Sequence, residues 1–206
     1  MKANTFRFAQ LTTALALALG AGAAMAESQY GYAASGTGTV TAQARVNLQV
    51  TVPKLILLRV GSTNATQDTL AWTAALGINP GPTTPVNGNN TQVDWDGSAP
   101  VAGSVTNPAA LSVWAWTNAS GGGSLSYAAT AFAANGPTLA DVGVTATGLV
   151  HPTPATALAA TSATPTTFTR NAVATGSWAY ALSPTNVANW AAGSYSSTVT
   201  YTATSL

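Results

Sequence analysis

From position 30 onward, apolar side chains recur at every second residue rather than every third or fourth, and this period confines the chain to β-structure. The head of the sequence shows it best. Tyr30, Tyr32 and Ala34, then Val40, Ala42, Ala44, Val46, Leu48, Val50 and Val52, all fall on even positions, with Gly36 and Gly38 between the two groups. A single strand over this stretch would run about 75 Å at roughly 3.3 Å per residue, far longer than a sheet in a domain of this size. The head must therefore bend, switch sheets or leave the domain, and the glycine pair is the expected break.

Further strands are expected at 55–60, 70–76, 93–95, 111–117, 125–132, 142–150, 173–182 and 195–203, separated by turn signals. The 111–117 and 125–132 strands read as a hairpin across Gly121, Gly122 and Gly123. The stretches 77–90 and 152–168 are rich in Pro, Gly, Asn, Thr and Ala and read as loops. No segment has helical periodicity and no repeat of fixed period is evident. The expectation is an all-β fold, an Ig-like, Greek-key β-sandwich of about seven to nine strands, with a barrel as the competing architecture.

Residues 1–26 have the layout of a cleaved secretory signal: Lys2 and Arg7, an apolar run over 11–24, and an Ala24-Met25-Ala26 cleavage site. The expected division is a signal peptide at 1–26, an N-terminal extension at 27–38 and one sandwich domain at 39–206, with the product secreted or on the cell surface after passage through a periplasm. Beyond the signal, the bases are Arg45, Lys54, Arg59 and Arg170 and the acids Glu27, Asp68, Asp94, Asp96 and Asp141, a net charge of minus one. Charged residues make up 5% of the whole chain, against about 25% in ordinary domains. So few cations leave no footprint for nucleic acid, and so little net charge lets copies of the chain approach one another. Cysteine is absent, so the fold relies on its core and not on disulfides.

The same poverty of charge works against catalysis. A nucleophilic Ser or Thr needs a base, and His151, the only histidine, precedes Pro152 at the mouth of a low-complexity loop, where it reads as solvated. No catalytic residue and no cofactor is expected. Asp94 and Asp96 share a strand face at i, i+2 and are the weak candidates for a metal, but a calcium loop needs more oxygen ligands than two. The six tryptophans are expected chiefly in the core. Trp114 and Trp116, on one face of one strand, are expected in the core with the others; the alternative is that they form a stacking platform for a surface glycan. This gives the alternative reading of a secreted adhesin or carbohydrate-binding module.

The closing stretch WAAGSYSSTVTYTATSL, 190–206, resembles the last strand of secreted bacterial pilin-like domains, in which a small-Gly-x-Tyr corner feeds an alternating Thr/Val strand. Spore-coat-U-type pilins and fimbrial subunits of chaperone/usher pathways have this form. The stretch GTVTAQARVNLQVTV, 38–52, is similar to the opening of alpha-class colonisation pilins. The resemblance implies a non-enzymatic structural subunit of a pilus, surface fibre or biofilm matrix, with a periplasmic chaperone and an outer-membrane usher as partners. It further implies a homopolymer in which the N-terminal extension of one copy completes the sheet of the next. Tyr30, Tyr32 and Ala34 would then be the donor's knobs, with Val40 opening the subunit's own first strand over 40–52.

Overall fold

A computed structural model describes residues 27–63, 66–81, 83–154 and 157–206. The expected signal peptide lies outside the described residues. Two compact units divide the chain, Met1–Val52 and Pro53–Leu206.

The second unit is all-β, with β1 (Ile56–Val60), β2 (Thr73–Gly77), β3 (Val101–Thr106), β4 (Leu111–Thr117), β5 (Gly123–Ala129), β6 (Val142–Gly148), β7 (Thr166–Phe168), β8 (Ala174–Leu182) and β9 (Val199–Ser205). All pairings are antiparallel. One sheet has the order β1-β4-β8-β6, the other β7-β5-β9, and β2-β3 form a separate ribbon. The two larger sheets form a sandwich, because strict alternation gives each one an apolar face and each needs the other to cover it. Val113 and Ala115 of β4, Val142 and Val144 of β6, and Trp178 and Tyr180 of β8 meet Leu125 and Tyr127 of β5 and Phe168 of β7 in one buried cluster.

From β4 to β9 each successive strand falls in the opposite sheet. The expected hairpin between 111–117 and 125–132 is therefore not formed. Both edges of β4 are already taken, by β1 and β8, so the glycine turn carries the chain across the core instead. Gly122 adopts φ +79°, and Gly123 lies under the Phe168 ring so closely that a Cβ there would sit 2.3 Å from it. The expected strand at 93–95 is also absent. That stretch is loop, and β3 forms later, in a sequence with weaker apolar alternation.

A tyrosine corner precedes β9. The Tyr195 hydroxyl donates to the Ala191 carbonyl at 2.7 Å, fixing the bend by which the chain enters its last strand.

The first unit differs from expectation in one respect that matters for function. Residues 40–52, expected to be the first strand of the sandwich, have no strand partner among the described residues. The first strand is β1, beyond Pro53. Within this unit the chain turns at Ala34, Ser35 and Gly36, with the Gly36 amide donating to the Ala33 carbonyl at 3.2 Å. Gly36 and Gly38 both take positive φ, as the glycine break requires.

Candidate functional site

Three groupings in the structure have the chemistry to do something beyond folding: a pair of open strand edges with a matching segment, a buried histidine, and an aromatic cleft.

Among the described residues, strands β1 and β9 each have a strand neighbour on one side only, and they lie against one another across the sandwich. Their core-facing side chains, Ile56, Leu58 and Val60 on β1 and Val199, Tyr201 and Ala203 on β9, are only half-buried. The equivalent residues of the inner strands, Val113, Ala115 and Leu125, are sealed. An apolar seam with unpaired backbone on both flanks is a template for another strand. The root of β1 is clamped by the end of β4. Asn118 accepts from the Leu55 amide at 2.8 Å and donates to the Pro53 carbonyl at 2.7 Å, and the Thr117 hydroxyl donates to the Leu55 carbonyl at 2.8 Å.

In the first unit every residue of 40–52 is exposed, including the apolar members of its alternating pattern. Val46, Leu48, Val50 and Val52 are 77%, 91%, 85% and 72% exposed. Apolar exposure in an unbroken period of two is not the scatter of single hydrophobics found on ordinary surfaces. Of the residues expected as donor knobs, Tyr30 and Tyr32 are exposed, but Ala34 lies in the turn, so the three do not form one extended row. Val40, also exposed, is continuous with the 46–52 row.

His151 corrects the sequence reading, which placed it in solvent. It is fully buried between the two sheets, its ring 4.8 Å from Trp178 and 5.1 Å from Tyr127 between centroids. The Pro152 carbonyl, 2.7 Å from Nδ1, can only accept, so Nδ1 carries the proton. Nε2 therefore accepts from the Tyr201 hydroxyl at 2.7 Å, and Tyr201 in turn is bonded to the Tyr180 hydroxyl. Burial pushes His151 down to about 4, with the Pro152 bond opposing it weakly, and raises both phenols, Tyr180 to about 12. This chain of bonds links the loop after β6 to β8 in one sheet and β9 in the other. No signal in the sequence distinguishes such a histidine from a solvated one, because its partners lie up to fifty residues away.

The tryptophans divide between core and surface. Trp178 is fully buried and donates to the Leu149 carbonyl at 2.7 Å. Trp95 is 60% exposed. Trp114 and Trp116 are not core residues: β4 turns Val113, Ala115 and Thr117 inward, which by alternation puts the two indoles on the outer face, half-buried. There Trp116 stands opposite Leu57 and Trp114 opposite Arg59. The Arg59 guanidinium lies 3.4 Å above the Trp114 ring. Leu55, Leu57, Arg59, Trp114, Trp116 and Val173 line a cleft of about 530 Å³ on this face.

Asp94 and Asp96 sit in loop, and Asp96 is occupied locally. It accepts from the Ser98 hydroxyl at 2.6 Å and the Ser98 amide at 2.9 Å, which lower its pKa. Among the described residues no three metal-ligating side chains come together, and no helix is long and apolar enough to cross a membrane. Comparison with family models, curated proteins and solved structures finds no match to this chain.

Proposed function

We propose that the protein is an exported, non-enzymatic structural subunit that assembles with copies of itself into a fibre or matrix by β-strand addition. The observation that carries this reading is the unpaired, exposed apolar row at Val46, Leu48, Val50 and Val52. The seven residues of 46–52 carry no charge and match the seven-residue length of β9. One copy's 46–52 segment, laid in the seam between β1 and β9 of the next, pairs with open backbone and sets its even-numbered side chains on the half-buried core row.

The strand that crosses between copies is thus the stretch beyond the glycine break and not residues 27–38, whose extended run is cut short by the turn at Ala34. Burying each Val or Leu contributes roughly 1.5–3 kcal/mol, which in sum works against the cost of ordering the segment on association.

Electron microscopy of the purified protein with its leader removed tests the reading. Filaments or extended oligomers are expected from the native sequence. Leu48→Asp, which puts a charge into the apolar seam, should leave folded monomers. Equal assembly of the two proteins, or a native protein that stays monomeric at high concentration, overturns it.

A further inference from the structure

The aromatic cleft on the outer face of β1 and β4 uses neither the seam nor the 46–52 segment, and its chemistry is unusual for this chain. Arg59 is one of only four bases beyond residue 26, yet its guanidinium is laid flat on Trp114 and its buried Nε finds no acceptor among the described residues. Four of the five carboxylates beyond residue 26, all but Asp94, are engaged elsewhere. Asp68 is held by Ser62, Asp96 by Ser98, Asp141 by Thr138 and Asn186, and Glu27 by Gln29. An arginine stacked in this way has surrendered most of its rotamer freedom, and its planar fork is set for a carboxylate.

The stacking also changes what the two tryptophans can offer. The outer face of Trp114 is covered by Arg59, so the pair is not the double platform that the sequence suggests. Trp116 remains, flanked by Leu57 and by Val173, which is 62% exposed. By the strand rise, its indole lies about 6.6 Å along β4 from the arginine-capped ring. The cleft thus combines an apolar ring surface with one cation a single sugar's width away.

We infer that this cleft binds a carboxylated sugar, of the uronic- or sialic-acid class, with the C–H face of the pyranose on Trp116 and its carboxylate on the Arg59 guanidinium. Charge complementarity selects an anion, and the setting selects a sugar over an acidic peptide. β4 is hydrogen-bonded on both sides, and the open edge of β1 directs its unpaired groups along the plane of the sheet, so no backbone donor or acceptor faces into the cleft. An extended peptide laid there would have its own backbone groups buried without partners. A pyranose ring buries mainly C–H surface and keeps its equatorial hydroxyls at the wet rim of a shallow cleft.

Calorimetric titration of the full-length protein tests this with three probes: an oligoglucuronate, the same oligosaccharide with its carboxyl groups reduced, and an oligoglutamate peptide of equal charge. The oligoglucuronate should bind at least about tenfold more tightly than either other probe. Arg59→Gln should abolish that difference, and Arg59→Lys should restore little of it, because an ammonium cannot form the stacked fork. Trp116→Ala should weaken both saccharides while leaving the thermal midpoint unchanged. The proposal is overturned if the reduced oligosaccharide binds as well as the acidic one, if the peptide binds as tightly, or if none of the three binds. These comparisons on the native protein stand even if an Arg59 variant fails to fold.

Discussion

His151 Nε2 lies 2.7 Å from the Tyr201 hydroxyl, and this one bond ties the loop after β6 to the terminal strand β9. Since the open edge of β9 belongs to the proposed assembly seam, the buried histidine helps hold one wall of that seam in place. Its partners leave no room for a second proton: Nδ1 already donates to Pro152, and Nε2 is committed as an acceptor.

Stability should therefore fall in mild acid. The folded-state pKa of His151, about 4, lies below the ordinary 6.5, so the unfolded chain takes up the proton first as pH drops. The contribution is fully present above pH 6.5 and is lost progressively down to about pH 4, a change of about 3 kcal/mol. Burial raises the Asp141 carboxyl, but bonds from the Thr138 amide, the Asn186 amide and the Thr138 hydroxyl hold it below its ordinary 3.8. Its contribution is therefore lost only in stronger acid. Urea unfolding at pH 7 and pH 4 should show the loss in the native protein, and His151→Phe should flatten it. A native protein equally stable at both pH values contradicts the assignment.

Gly123→Ala should destabilise the sandwich by about 1–3 kcal/mol. The added methyl would meet three atoms of the Phe168 ring at 2.3–2.8 Å, and Phe168 is itself buried in the core. A shift in the urea midpoint with unchanged slope is the expected signature.

Trp178→Phe should cost about 2 kcal/mol or more, since it leaves a cavity and strips the Leu149 carbonyl of its buried donor. Near-neutral behaviour in chemical denaturation would show that the carbonyl finds another partner.

Asn118→Ala removes both side-chain bonds that fix Pro53 and Leu55. Hydrogen exchange at the Leu55 amide should accelerate by an order of magnitude or more, while exchange in β5 should stay as it was.

The sequence made strand positions legible wherever alternation was strong. The 111–117 strand coincides with β4, and those at 55–60, 142–150 and 173–182 fall within two residues of β1, β6 and β8. Pairing was not legible, because alternation says which faces are apolar and nothing about which sheet a strand joins. The triple glycine at 121–123 looks like a hairpin turn, although β4 has no free edge for β5 to join. Trp114 and Trp116 were placeable on one face, but which face required knowing that Val113, Ala115 and Thr117 point inward. His151 was misread because burial by distant partners leaves no local trace. The overlong head was recognised from its period alone; that 40–52 stays unpaired follows from β1 starting only after Pro53.

Disulfide trapping between copies tests the central claim most directly, and the absence of cysteine from the native chain makes it clean. In an added strand with Val46, Leu48, Val50 and Val52 turned inward, Gln49 faces outward, level with the outward residues of β9, Thr200, Thr202 and Thr204. Opposed positions on neighbouring strands lie about 4.5–5.5 Å apart between Cβ atoms, within reach of a disulfide after small adjustment. One copy carrying Gln49→Cys, mixed with a second carrying a cysteine at one of these three threonines in turn, should cross-link strongly at a single register, and the added charge of Leu48→Asp should abolish the cross-link. Absence of cross-links between copies at all three positions, or equal yields at every one, would contradict strand addition at this seam.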